Sequence, residues 1–105
     1  MQTFTFYTDP GHGWVEVPRA LLHELGIANK ITGYSYQRGE DVFLEEDCDL
    51  STFARAMEKA GRPFELVEVY EPGHRESWVR LLWSYEPELM VSDEARSYGP
   101  AGAPL

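Results

Sequence analysis

The sequence predicts an α+β domain in which a mainly antiparallel sheet of five strands carries helices packed on one face. Several short segments alternate apolar and polar residues, as half-buried strands do. Clusters of Gly, Pro and Asp separate these segments at distances typical of hairpins. Other segments repeat apolar residues at helical spacing. The predicted order is β-β-α-β-β-α-β-α, and its short connections favour antiparallel neighbours.

Each predicted element has a local signal in the sequence. Pro18 starts the first helix, where its missing N–H costs nothing, and Gly26 ends that helix. Residues 77–85 carry apolar side chains at i, i+3, i+4 and i+7, which predicts a short helix, with a sixth strand as the alternative. The predicted elements are strands at 2–7 and 14–17, a helix at 18–26, strands at 31–37 and 42–44, a helix capped by Asp49 or Ser51 and ended by Gly61, a strand at 64–70 and the helix at 77–85.

The length of 105 residues and the 43% hydrophobic content indicate one domain with a modest core. We place this domain at residues 1–86. Residues 87–105 lose the apolar pattern and end in a stretch rich in Gly, Pro and Ala, which predicts a mobile tail.

The charge is strongly acidic, with 18 Asp and Glu against 9 Lys and Arg, for a formal net charge of −9. Direct binding to nucleic acid is disfavoured unless the basic residues are segregated, because phosphates would be repelled. The acidity indicates either simple solubility or an acidic face for a basic partner. The lone Cys48, the lack of a long apolar stretch and the lack of a basic leader predict a cytoplasmic protein, in a host bacterial cell.

One ten-residue stretch holds six acidic residues and no Lys or Arg. Its acids have three competing interpretations: caps at a helix start, ligands of a hard cation, or a surface that recognises a basic partner. The spacing of a calcium loop is absent, which argues against the cation. The candidate partner-binding residues are Glu40, Asp41, Glu45, Glu46, Asp47 and Asp49.

A turn-rich loop supplies the secondary candidates Asp9, His12 and Trp14. Two glycines flank His12, and Asp9 would orient its ring if this were the site of a small enzyme. The alternative is a tight turn with Trp14 packed on the core. Cys48 is expected to be half-buried and unreactive, because the flanking acids raise its pKa. The sequence contains no phosphate loop, dinucleotide motif, nucleophile elbow or metal-ligand spacing, so we expect no cofactor, no metal and no catalysis.

Four motifs together resemble a family of small proteins carried by bacteriophages, prophages and plasmids. They are Asp-Pro-Gly-His-Gly-Trp at 9–14, Val-Pro-Arg-Ala-Leu-Leu at 17–22 with Leu-Gly-Ile at 25–27, Gly-Tyr-Ser-Tyr-Gln at 33–37 and Leu-Glu-Glu-Asp-Cys-Asp at 44–49. The resemblance implies a non-enzymatic inhibitor of host defence, of the anti-CRISPR or anti-restriction kind. Such an inhibitor imitates the charge of DNA and occupies a basic surface of a nucleic-acid-binding effector.

A second resemblance covers only the segment from Trp14 to Ile27. Its strand, its Pro-started helix and its Leu-Gly-Ile close resemble AbrB-type transcription factors and antitoxins. That resemblance implies a dimer that binds DNA. Glu16 inside the strand and the acidic balance depart from that pattern.

Overall fold

The computed structural model describes residues 1–87, which form one open sheet of six strands with two α-helices. The strand order across the sheet is β5-β1-β2-β4-β3-β6. Single 3₁₀ turns lie at Ala28–Lys30, Pro72–His74 and Trp78–Leu81. The elements are β1 (Gln2–Thr8), β2 (Gly13–Pro18), α1 (Arg19–Glu24), β3 (Tyr36–Arg38), β4 (Asp41–Glu45), α2 (Asp49–Lys59), β5 (Phe64–Tyr70) and β6 (Trp83–Ser84).

The predicted α+β class is confirmed, and the prediction of a mainly antiparallel sheet of five strands is confirmed only in part. The sheet has a sixth strand and is mixed, because β5 pairs with β1 in the parallel sense over its whole length. The chain leaves β4, passes through α2 and returns at the far edge of the sheet. Such a crossover permits a parallel pair, whereas a tight hairpin permits only an antiparallel one.

The helix predicted at residues 77–85 is replaced by a 3₁₀ turn at Trp78–Leu81 and the short strand β6. The apolar residues of that stripe do not share one face. Leu82 of that stripe packs with Trp14, whereas Tyr85 lies in the core on the other side of the sheet. A segment whose apolar side chains pack on both sides of a sheet cannot form one helix with a single apolar face.

The strand predicted at residues 31–37 is also shorter than expected. Only Tyr36–Arg38 pairs in the sheet, as β3. Upstream of it, Thr32 and Ser35 turn toward α2 and donate hydrogen bonds to the carboxylate of Asp49. These side-chain bonds hold the segment out of the strand conformation.

The two faces of the sheet have different coverings, as the alternation of side chains in a strand requires. On one face, Val15 of β2 and Leu44 of β4 pack in the core that includes residues of both helices. On the opposite face, Trp14 and Phe43 pack under Val79 from the last turn. The prediction that the helices share one face is therefore confirmed for α1 and α2.

A buried arginine fixes the end of the described chain against the sheet. Arg19 donates from Nη2 to Oε1 of Gln37 at 2.7 Å and from Nη1 to the carbonyl oxygen of Glu86 at 2.9 Å. Its guanidinium also lies 5.5 Å from the ring centre of Tyr85. The tail predicted at residues 87–105 lies outside the described residues, apart from Pro87. In residues 1–87, no helix has the length and apolar character needed to cross a membrane.

The close approach of Gly13 on β2 to the Phe6 ring on β1 provides a test of how the sheet is packed. A Cβ at Gly13 would lie 2.6 Å from the ring of Phe6, closer than any real contact. We expect G13A to lower the free energy of unfolding by about 1–3 kcal/mol, the usual range for overpacking. Urea denaturation followed by circular dichroism measures the change.

The matched control is G33A, because a Cβ at Gly33 meets no atom within 4 Å. Its effect should stay within about 0.5 kcal/mol, as for other surface changes. Equal destabilisation by the two variants would contradict the packing around Gly13.

Candidate functional site

The sheet brings together two regions that are far apart in sequence. Trp14 of β2 is the direct antiparallel partner of Glu45 of β4. Just beyond this pair, the backbone N–H of Glu46 donates to the carbonyl oxygen of Gly13 at 3.1 Å. The loop between β1 and β2 therefore lies beside the turn between β4 and α2. This places the secondary candidates His12 and Trp14 next to part of the acidic stretch.

Asp9 is a buried carboxylate that organises the loop. Its Oδ1 accepts hydrogen bonds from the backbone N–H groups of Gly11 and His12 at 3.0 and 2.9 Å. Its Oδ2 accepts from the backbone N–H of Ser77 at 2.7 Å. Both oxygens also accept from Arg80, with Nε at 2.7 Å from Oδ2 and Nη2 at 2.9 Å from Oδ1. The bonds to Arg80 and to these N–H groups hold the pKa of Asp9 well below its usual range.

These contacts give Asp9 a different role from the one expected for an enzyme. Its carboxylate contacts the backbone of His12, and both of its oxygens are occupied by other donors. The His12 side chain is exposed, with its ring centre 6.1 Å from that of Trp14. A Cβ at Gly11 would lie 3.1 Å from Nη2 of Arg80, so a side chain at this position would require the Arg80 guanidinium to shift by a few tenths of an ångström.

Two acids of the predicted partner-binding set are buried and bonded within the protein. Glu45 accepts hydrogen bonds from the backbone N–H groups of Asp47, Cys48 and Asp49 at the start of α2. Asp49 accepts from the N–H and hydroxyl of Thr32 and from the hydroxyl of Ser35. Glu45 thus satisfies the free N–H groups of the helix start, a role that the sequence had suggested for Asp49.

The four remaining acids of that set fall into two groups at opposite ends of β4. Glu40 and Asp41 lie at the β3–β4 turn, whereas Glu46 and Asp47 lie at the turn before α2. From Asp41 to Glu45, β4 spans about 13 Å at the normal rise of a strand, and Glu46 follows one residue beyond that end. Asp41 also lies near Glu16, whose pKa is raised by burial and by the charge of Asp41.

A pocket of about 320 Å³ lies where the β1–β2 loop meets the turn before α2. Its walls are largely aromatic, and the Tyr34 ring at its mouth is 75% exposed. The guanidinium of Arg80 lies 5.2 Å from the ring centre of Trp14, within cation–π range. The lining residues are His12, Trp14, Tyr34, Tyr36, Glu45, Asp47, Cys48 and Arg80.

The thiol of Cys48 is exposed at this pocket, although the sequence had suggested a half-buried position. The negative charge of Glu45 raises its pKa, with further contributions from burial, Asp49 and Asp47. The direction agrees with the effect expected from the flanking acids. A thiol in such surroundings stays protonated near neutral pH and is a poor nucleophile.

Sequence reasoning missed three residues that shape the pocket: Tyr34, Tyr36 and Arg80. The alternation of the two tyrosines suggested only a strand face. Nothing near Arg80 in the sequence indicated a pairing with Asp9, which lies 71 positions earlier. Among residues 1–87, no group of three or more His, Cys, Asp or Glu side chains is arranged to hold a metal ion.

A second concave surface has the opposite charge character. A groove of about 580 Å³ runs between α1 and α2, and Lys30, Arg55 and Lys59 line it together with Glu24. Glu24 is ion-paired with Arg62 at 2.8 Å. The groove therefore collects three basic side chains and one acid, whereas the pocket is lined by two acids, Glu45 and Asp47, together with Arg80.

The buried carboxylate of Asp9 predicts a specific pH dependence. Because folding lowers its pKa, its stabilising effect is complete above the unfolded value, about pH 4, and is lost as the pH falls further. We expect D9N to lower the free energy of unfolding at pH 7 by about 2–3 kcal/mol, as for lost hydrogen bonds to a charged group. The loss on acidification should be smaller in D9N than in the wild type, as measured by urea denaturation at several pH values.

The control is D47N, which removes the same charge from the exposed surface. If D9N and D47N change stability equally at every pH, the structural role of Asp9 is refuted.

Comparison with known proteins gives no relative for this chain: no family model, no curated protein and no solved structure matches it. Its function is therefore inferred from the pocket and from the charges around it.

Proposed function

We propose that this chain is a non-enzymatic binding protein that docks on a basic surface of a host nucleic-acid-binding protein. The observation that carries the proposal is the pocket at which the Asp9–Trp14 loop meets the acidic turn at Glu46 and Asp47. The resemblance to proteins of phages and plasmids supports a partner among effectors of host defence, such as a CRISPR or restriction complex. The bound protein would then be an inhibitor that competes with DNA.

The chemistry of the pocket suits a cationic side chain. The exposed ring of Tyr34 and the neighbouring ring of Tyr36 offer π faces, which attract guanidinium and ammonium groups. Asp47 is exposed beside them and supplies a negative charge. Arg80 does not oppose a second cation strongly, because its charge is balanced by the two bonds to Asp9. An Arg or Lys of a partner therefore fits this site.

The size of the pocket supports recognition of a side chain over binding of a large cofactor. Its 320 Å³ lies at the lower end of the range for small-molecule sites, about 300–1,000 Å³. The second acidic group, at Glu40 and Asp41, provides a further contact about 13 Å along β4. Carboxylates at both places would displace counter-ions from a basic channel as phosphates do.

The state of the candidate catalytic groups also favours binding over catalysis. The carboxylate of Asp9 is committed to five donors, so it is not available as a base. The raised pKa of Cys48 keeps its thiol protonated.

The charge reversal E46K/D47K tests this proposal. Glu45 is left unchanged, because its carboxylate holds the start of α2 and its loss would disturb the fold. The probe is a synthetic nona-arginine peptide, titrated into labelled protein and followed by NMR. We expect the wild type to show shifts centred on Tyr34 and Trp14 that weaken with salt. The double variant should bind at least tenfold more weakly.

The matched controls are E58K, which reverses one exposed acid of α2 away from the pocket, and Y34A, which removes the exposed ring without changing charge. E58K should bind nearly as well as the wild type, and Y34A should bind more weakly. E46K/D47K changes the net charge by twice as much as E58K, so a loss of binding free energy in E58K about half that of the double variant would show that net charge alone drives binding.

Affinity capture from a bacterial lysate then tests the partner class. The wild type, but not E46K/D47K, should retain nucleic-acid-binding proteins, and added DNA should release them. Retention that DNA does not affect would refute competition with nucleic acid.

A further inference from the structure

Within the described residues 1–87, the strand β5 is an open edge of the sheet. It is the terminal strand in the order β5-β1-β2-β4-β3-β6 and pairs with β1 through all seven of its residues. The opposite edge, β6, has only two residues, which is the usual protection of an edge. In contrast, β5 contains no Pro, Gly or bulge, and its outer N–H and C=O groups face away from the sheet.

The side chains of β5 leave apolar surface exposed on both faces of this edge. Val67 and Val69 are 54% and 48% exposed on one face, and Leu66 and Tyr70 are also exposed on the other. Glu65 and Glu68 also lie on this edge, but a long and regular strand edge with exposed apolar side chains is still a template for pairing with another strand.

The sequence of β5 allows it to pair with a second copy of itself without setting like charges opposite each other. In an antiparallel pair about a two-fold axis, full overlap of residues 64–70 places Val67 opposite its own copy. This register sets Glu65 opposite Val69 and Leu66 opposite Glu68 of the second copy. No two carboxylates then lie directly opposite, a placement that would be destabilising. A shift of one residue toward the start of the strand would set Glu65 opposite Glu68.

From the exposed edge and this full-overlap register we infer that β5 is the contact between two copies of this chain. The two sheets join into one continuous twelve-stranded sheet with Val67 on the two-fold axis. The contact is isologous and closes at two copies, as in most homodimers.

The acidic charge gives this contact a distinctive response to salt. Two chains of net charge −9 repel each other, and salt screens that repulsion. Pairing through β5 is therefore strengthened by salt, whereas binding of the acidic pocket to a basic partner is weakened. The opposite signs separate failure of this inference from failure of the proposed function.

The first test measures molar mass by light scattering over a range of protein and salt concentrations. We expect the wild type to shift from the monomer mass toward twice that mass as either concentration rises. The variant V67E sets two carboxylates opposite each other and should stay monomeric. The control L81E makes the same charge change at a side chain 61% exposed outside β5, and should dimerise like the wild type.

A wild type that stays monomeric throughout, or a dimer that V67E does not affect, would overturn the inference. Circular dichroism of V67E shows whether its fold is retained, which is expected because Val67 is exposed.

The second test examines the register by disulfide trapping in a C48S background, which removes the natural thiol. Under mild oxidation V67C should link to itself. E65C should not link to itself but should link to V69C when the two variants are mixed. Self-linking of E65C together with failure of V67C would refute this register.

Discussion

The carboxylate of Asp9 is the constraint on which the rest of the candidate site depends. It binds the backbone of its own loop and, at the same time, Ser77 and Arg80 from the last part of the described chain. The segment at residues 77–82 covers one face of the sheet, so Asp9 joins that cover to the β1–β2 loop. Because Arg80 also lies against Trp14, the same carboxylate positions a wall of the pocket.

The acidic stretch shows how charge can serve folding and surface recognition within a few residues. Glu45 and Asp49 are buried and accept hydrogen bonds at the start of α2 and from Thr32 and Ser35. Burial of a carboxylate is tolerated only with such partners. Glu46 and Asp47 sit between them with more exposure. The net charge therefore overstates how many acids lie on the surface, because Glu45 and Asp49 are buried. The carboxylate of Glu45 also fixes the turn that carries the exposed Asp47.

Local signals in the sequence predicted the elements whose residues interact with near neighbours. The alternation at residues 2–7 and the apolar repeat of α2 agree with the structure, since each depends on short-range periodicity. The helix predicted at 18–26 is present but shorter, because Pro18 ends β2 and α1 spans Arg19–Glu24. The helix prediction for residues 77–85 was wrong because an i, i+3, i+4 pattern does not reveal whether its members face one side of a sheet or two. The strand β5 was predicted, but its parallel pairing with β1 was missed, because no hairpin turn or spacing in the sequence marks a pairing that is made across a crossover.

The site was predictable in its parts but not as an assembly. The Asp9–Trp14 loop and the acidic stretch were each visible, whereas the pairing of Trp14 with Glu45 follows from the β2–β4 register. Arg80 had no local signal, because its partner is 71 positions away. A contact of that kind is fixed by the packing of the whole domain, which single-sequence patterns do not contain.

The pocket and the open edge occupy separate parts of the sheet, so use of one leaves the other free. Trp14, Tyr36 and Glu45 lie on β2, β3 and β4, and β1 stands between β2 and β5. In a dimer joined through β5, five strand spacings separate the two β2 strands, or about 24 Å. Such a dimer presents two pockets to one partner, and the second contact gains from its high effective concentration. If each pocket took one basic side chain, the dimer would bind a surface that carries several such side chains more tightly than a single pocket could.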